Sequence, residues 1–368
     1  MKIEKNERLL YKLTIVILTF NRPQYMLRSM KYWSGKGPIV HVLDGSVESI
    51  SSKDLANMES NIRYHHMPVS YNERFVYAQN LSKSEYTTFI PDDEFLIPSA
   101  LNSCISELDN NVSLVSCIGR CILFNHDKGS LRLRVRSVYE KMANYSVQHN
   151  NPDDRVLYHM KHYVPSMVYS VMRTNIWKHV LSCVTSKTYK VTSLEELQFE
   201  IASSYLGKSK VLPILMWLRS GENKGIGNDV TFKSINDWWS DSLNDNFREQ
   251  MLDELTHKIL ANQDKTNISH VKKIITKSFE MFMDRPKIKL PIKSIVIFQV
   301  ARLLSMLPRV VKGVLKTSAH TMYYNLNDFY DIDLTIKQLE MEEVSVNLDE
   351  LKDIESTVVD FHNNLSDK

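Results

Sequence analysis

The chain has 368 residues, 43% of them apolar and 24% charged, which points to two or three folded domains and excludes wholesale disorder. A formal charge of +3 gives no electrostatic case for nucleic acid. Cys104, Cys117, Cys121 and Cys183 lack C-x-x-C or zinc-finger spacing and read as small buried thiols in a reducing compartment, not as a disulfide framework.

Near the N-terminus, MKIEKNERLLYKLTIVILTF carries two glutamates, and its apolar run is too short for a signal peptide or a membrane span. A cytoplasmic protein is expected. Residues 13–20, LTIVILTF, form a continuous β-branched apolar run, the signature of a strand buried on both faces of a parallel sheet. Asn21-Arg22-Pro23 ends it, and Pro23 suits the first turn of a helix through PQYMLRSMKYW. IVHVL at 39–43 is a second strand, closed by Asp44-Gly45-Ser46. IRYHH at 62–66 is a third, NERFVYAQNLSKS a helix, and YTTFI at 86–90 a fourth strand that runs into Pro91-Asp92-Asp93-Glu94. This β-α-β-α-β-α-β order predicts a doubly wound, Rossmann-like α/β sheet.

Further on, SLVSCIGRCILF at 113–124 is strand-like, and VTSLEELQFEIASSYLG at 191–207 is a helix with Gly207 as its C-cap. From about 235 the pattern is mainly helical. Residues 285–316 hold eight basic residues and no acidic one, whereas 328–368 hold twelve Asp or Glu against three Lys. A basic block followed by an acidic tail is organised charge.

In an open α/β sheet, ligands bind beyond the carboxyl ends of the strands. Thr19, Asn21 and Arg22, then Asp44-Gly45-Ser46, then Asp92-Asp93-Glu94 all occupy such ends and should converge on one crevice. Fixed donors and acceptors there suit a nucleotide, and clustered carboxylates are hard-oxygen ligands for Mg²⁺ or Mn²⁺, which neutralise charge developing on a phosphate leaving group. The plain alternative for the acidic triplet taken by itself is a solvated turn.

Taken together, LTIVILTFNRP, HVLDGS, AQN and YTTFIPDDEF resemble the nucleotide-binding half of the GT-A glycosyltransferases, glycosyltransferase family 2 in particular. The resemblance covers roughly residues 13–100 and extends weakly to about 220. It implies a GT-A-like mixed sheet with a mainly helical C-terminal region. A catalytic domain would span 1–230, its donor half about 13–110 and its acceptor half about 111–230, with 231–368 forming the helical remainder. The implied activity is transfer of a sugar from a nucleotide-sugar donor to a glycan or lipid-linked acceptor in bacterial surface polysaccharide synthesis, with a divalent metal as cofactor. Thr19, Asn21, Arg22, Asp44, Asp92 and Arg219 would bind the nucleotide sugar, Asp44 reading the base. Asp93 and Glu94 would face the metal and diphosphate. The family's first acidic position is Pro91 here, so the acidic motif is shifted. Glu195-Glu196 matches a Glu-Asp pair that opens a helix in the family, and Glu196 would deprotonate the acceptor hydroxyl if the reaction inverts. An acidic first turn stabilised by the helix dipole is the competing reading.

VLPILMWLRSGENKGIGND reads as a strand followed by a Gly-rich loop. Arg219 or Lys224 there could counter a diphosphate, or the segment is an ordinary surface loop. His159 and His162 lie in a stretch that could line the acceptor side, although packed or solvent-facing histidines are commoner than ligands. The basic block, PIKSIVIFQVARLLSMLPRVVKGVLK, either docks on an anionic membrane face or forms a core helix paired with the acidic tail. Two other functions stay open. A catalytically inactive glycan-assembly protein would fit the shifted motif. A sugar nucleotidyltransferase is disfavoured because TFNRPQY has no glycine.

Overall fold

A computed structural model describes residues 9–135, 141–184, 189–223, 233–261, 267–285 and 329–366. The first four strands are β1 (Leu13–Thr19), β2 (Ile39–Asp44), β3 (Ile62–His66) and β4 (Tyr86–Pro91). Among them lie helices α1 (Pro23–Trp33), α2 (Ser52–Ala56) and α3 (Tyr71–Leu81). Then follow β5 (Phe95–Leu96), α4 (Pro98–Asn110), β6 (Leu114–Asp127), β7 (Ser130–Arg134), β8 (Ser146–Val147), α5 (Pro152–Lys161) and β9 (Val171–Arg173). The later elements are α6 (Thr174–Cys183), α7 (Leu194–Leu206), β10 (Lys208–Ser220), α8 (Ile235–Ser240), α9 (Asp245–Ile259), α10 (Ile268–Met283), α11 (Ile332–Met341) and α12 (Leu348–Ser366).

The described strands form one mixed sheet in the order β3-β2-β1-β4-β9-β6-β10-β5, with β7 on β6 and β8 on β10. The β3-β2-β1-β4 half is parallel; β9 runs antiparallel to both β4 and β6, and β10 returns parallel to β6. The β-branched run 13–19 is buried at every position, as a central parallel strand requires. Its side chains alternate between two cores. Leu13, Ile15 and Ile17 face the layer built by α1, α4, α11 and α12, while Val16 and Leu18 face the layer holding α3, α6, α7, α9 and α10. The fold is therefore three-layered, helices on both faces of the sheet.

Register decides where the polar clusters fall. Thr19 pairs with Asp44 and Leu18 with Pro91. The three strand ends consequently lie side by side, as the doubly wound pattern predicts. The expected helix at 191–207 runs from Leu194 to Leu206, and Gly207 stands at its C-cap with an extended backbone. Glycine is needed there for space, since a Cβ would meet Val115 Cγ1 at 2.1 Å, and not for a left-handed cap.

The region beyond 230 contributes to both cores. Helices α8 to α10 join the layer holding α3, α6 and α7, and α11 and α12 join the opposite layer with α1 and α4, where Ser345 bridges Ile214 and Tyr330 bridges Leu133. The acidic tail pairs with the sheet and its helices: Glu342 with Arg120 at 2.7 Å, Asp353 with Lys36, and Glu350 with the Ser99 amide and hydroxyl. Arg285, first of the basic block, donates to the Tyr163 carbonyl at 3.2 Å and stacks on Phe282. The rest of that block lies outside the described residues.

Candidate functional site

The site begins with backbone. Arg74, on α3 and 4% exposed, reaches under the strand ends and donates through Nη1 to the carbonyls of Thr19 (2.5 Å) and Leu43 (3.0 Å). Gly45 lies directly above it, and a Cβ there would approach the guanidinium carbon to 2.5 Å. Thus the Asp-Gly-Ser turn needs its glycine for close approach. Asn21 takes a left-handed backbone (φ 55°), and its amide donates to Ser46 Oγ at 2.8 Å. Asp44 is 2% exposed and accepts from the Ser46 amide at 2.9 Å and from the Tyr64 hydroxyl at 2.8 Å. The two turns are locked into one rim.

The acidic triplet sits next to it. Asp92 is fully buried; its carboxylate accepts from Thr19 Oγ1 at 2.6 Å and pairs with Arg22 Nη2 at 2.5 Å. Burial pushes its pKa up to about 6, with Arg22 and Thr19 opposing. Asp93 Oδ2 receives Arg22 Nη1 at 3.1 Å and Asn223 Nδ2 at 2.7 Å, while Arg28 Nη2 donates to its carbonyl at 2.9 Å. Glu94 points toward β10, where Trp217 Nε1 donates to its Oε2 at 2.6 Å and Arg219 stands at 3.9 Å. Burial first, and Asp93 second, raise the Glu94 pKa to about 8.

These positions bear on metal binding. Among the described residues no group of three or more His, Cys, Asp or Glu side chains is arranged to enclose a metal unaided. Asp92 is committed to Thr19 and Arg22, and Glu94 accepts the Trp217 indole N–H. Asp93, which accepts from Arg22 and Asn223, would suit a hard divalent cation if a ligand supplied the remaining oxygens.

Opposite, α7 opens with Glu195 and Glu196, both half-buried. Glu196 Oε1 accepts a short hydrogen bond from the Tyr163 hydroxyl. Its pKa is raised to about 6, chiefly by burial, with Tyr163 and the Arg219 charge pulling it down and Glu200 pushing it up. Arg219 thus acts electrostatically on both Glu94 and Glu196 and connects the two carboxylate groups. One turn on, Glu200 is fully buried, pairs with His159 at 2.8 Å and accepts the amides of Met167 and Val168. His159 is a packed structural histidine and His162 faces solvent.

The sequence-identified residues other than Lys224 are thereby located: Thr19, Arg22, Asp92 and Asp93 are in direct contact, Asn21 and Asp44 share the adjoining rim, Glu94 reaches Arg219, and Glu196 lies within the field of Arg219. Lys224 and the glycines after it lie outside the described residues. Arg28, Arg74, Tyr163, Trp217 and Asn223 were not identified from sequence. Only Trp217 carried a signal, because a buried indole needs a partner for its N–H.

No family model matches the chain, and no curated protein matches it in sequence. Among solved structures, S. aureus TarS residues 1–349 in complex with UDP-GlcNAc superposes with a TM-score of 0.51 at 14% identity, over 86% of this chain and 88% of that one. The same fragment with UDP gives 0.48 at 14% identity, again over 86% and 88%. A longer TarS structure gives 0.48 at 14% identity over 86% of this chain, which spans 54% of that one. The likeness establishes the GT-A fold.

Proposed function

We propose that the chain is a glycosyltransferase that moves a sugar from a nucleoside diphosphate to a glycan or lipid-linked acceptor. The observation that carries the reading is the convergence of the Asp44 rim, the Arg22–Asp92–Asp93 cluster and Glu196 on one end of the sheet, joined through Arg219. TarS, the neighbour solved with UDP-GlcNAc, supports a nucleotide-sugar donor on this fold, and the chemistry of the side chains supports the rest.

In this account Asp44 reads the base, with Asn21 bordering it. Arg22 and Arg219 supply positive charge to the diphosphate. Asp93 would hold a divalent cation, which when bound neutralises charge on the leaving diphosphate. The acceptor oxygen forms the new bond to the anomeric carbon as the carbon–oxygen bond to the diphosphate breaks. The bonding pair leaves with the nucleoside diphosphate, and the acceptor proton passes to Glu196 Oε. A carboxylate with a pKa of about 6 is ionised near neutrality and still basic enough to take a proton as the bond forms. Inversion at the anomeric carbon follows from such a direct displacement.

A role in bacterial surface polysaccharide synthesis is the biological setting we favour, and the basic block at 285–316 would hold the enzyme at an anionic membrane face. No helix among the described residues is long and apolar enough to cross a membrane. Co-sedimentation with anionic but not neutral vesicles, abolished by salt, is expected; no binding at low salt would refute the docking. One second reading has an observation behind it. Pro91 replaces an acidic position and Glu94 turns inward to the Trp217 indole, as in a protein that binds glycan precursors without turnover. A thermal-shift screen against nucleotides and nucleotide sugars, followed by a donor-hydrolysis assay, separates the two.

A further inference from the structure

The C-terminal helix α12 reaches the acidic triplet through a chain of contacts that runs from half-buried His362 to buried Arg28. His362 lies flat on His126 of β6, ring centroids 4.1 Å apart and planes 5° from parallel, and its Nε2 makes a short hydrogen bond to Glu222 Oε1. Glu222 is buried, its side chain 5% exposed, and its other oxygen pairs with Arg28 Nη1 at 2.9 Å. The guanidinium of Arg28 is enclosed by Tyr25, Phe95 and Phe361, and its Nη2 holds the Asp93 carbonyl. The next residue, Asn223, holds the Asp93 carboxylate. Asp93 is therefore gripped at backbone and side chain by groups that depend on one glutamate, and that glutamate is held from the far end of the sequence.

The protonation pattern is fixed by chemistry. His362 and Arg28 hold the Glu222 carboxyl below its ordinary range against the opposing effect of burial, so Glu222 is an anion that only accepts. His362 Nε2 must then carry the proton. Burial, and then the neighbouring His362, keep His126 below the usual histidine range, so its neutral ring supplies a flat packing surface.

We infer that α12 is a clasp on the diphosphate end of the site, with His362 as the positioning residue: it fixes Glu222 and Asn223 so that Asp93 presents its carboxylate to the ligand. The contacts also give the acidic tail a purpose, since Asp353 on Lys36 and Glu350 on Ser99 seat the same helix. The consequence for nucleotide binding rests on the donor-site reading above; the clasp itself does not.

The test uses the full chain with His362→Ala and His362→Gln, the second retaining an N–H donor. Hydrogen exchange at the Glu222 amide, which donates to Ser220 Oγ at 3.1 Å, reports the clasp without any ligand. Calorimetric titration with UDP and with uridine, each with Mn²⁺, reports its effect at the diphosphate end. We expect His362→Ala to lose protection at that amide and to bind UDP about tenfold more weakly, the scale of one hydrogen bond. Uridine binding should be unchanged, the circular-dichroism melt should stay cooperative, and His362→Gln should recover most of the loss. Unaltered exchange in His362→Ala, or equal weakening of uridine and UDP, overturns the clasp. If the wild type binds neither ligand, the donor reading fails for uridine nucleotides, and the exchange data still decide the clasp.

Discussion

Trp217 donates its indole N–H to Glu94 at 2.6 Å across 123 residues of sequence. The bond turns the last carboxylate of the Asp-Asp-Glu turn into the protein, toward β10. Tertiary contacts thus divide the three neighbouring acids: Asp92 accepts from Thr19, Asp93 from Arg22 and Asn223, and Glu94 from Trp217.

The burial of Glu94 has a consequence for stability. The ordinary Glu pKa of 4.5 is raised to about 8 in the folded chain. Between those values the unfolded chain has lost its proton and the folded chain has kept it, so stability falls as pH rises, and the penalty is complete above about 8. Glu94→Gln removes this term. Its melting temperature should fall less than that of the wild type between pH 5 and pH 8, and parallel curves would show that Glu94 ionises freely in the fold.

Glu196 as general base makes a paired prediction. Glu196→Gln should lower kcat by about 10²-fold or more with donor affinity nearly unchanged. The wild-type rate should rise with pH through about 6, as the base loses its proton. Tyr163→Phe removes a hydrogen bond that favours the carboxylate, so the acid limb should move to higher pH. An acid limb that stays in place in Tyr163→Phe, with normal turnover in Glu196→Gln, would transfer the role to Glu195 or point to a retaining reaction.

Asp44 calls for a mild substitution, because Asp44→Ala would strand the Tyr64 hydroxyl and Ser46 amide at a cost of about 1–3 kcal/mol. Asp44→Asn should keep the fold, raise the donor KM by about tenfold and change the preference among nucleotide bases. A fall in kcat alone, base preference unaltered, would give the carboxylate another task.

Strand-level reading was reliable where one chemistry dominates a segment. The run 13–19 could only be a buried central strand, and Asp44 and Asp92 then had to lie beside Thr19 because parallel neighbours align their carboxyl ends. The supporting residues were not legible, for a physical reason. Arg28 sits in an otherwise ordinary amphipathic helix, and Arg74 resembles a surface arginine of α3, yet both are buried because their partners are backbone carbonyls and a glutamate far away in sequence. Local pattern carries no information about such long-range pairing. The same holds for the acidic tail: its composition announced organised charge, but tertiary packing shows which cations it meets, Arg120 for Glu342 and Lys36 for Asp353.

The central claim is that Asp93 anchors a nucleoside diphosphate at the strand ends. The direct measurement is calorimetric titration of wild type and Asp93→Asn with UDP-, GDP- and dTDP-sugars in the presence and absence of Mn²⁺, with melting temperatures recorded alongside. The account predicts that at least one of these donors binds the wild type in a metal-dependent manner. In Asp93→Asn that affinity should fall by about 10²-fold, in line with loss of a preorganised charged contact, while the melting temperature stays nearly constant. Undiminished metal-dependent binding and transfer by Asp93→Asn, or no binding of any donor by the wild type, would contradict it.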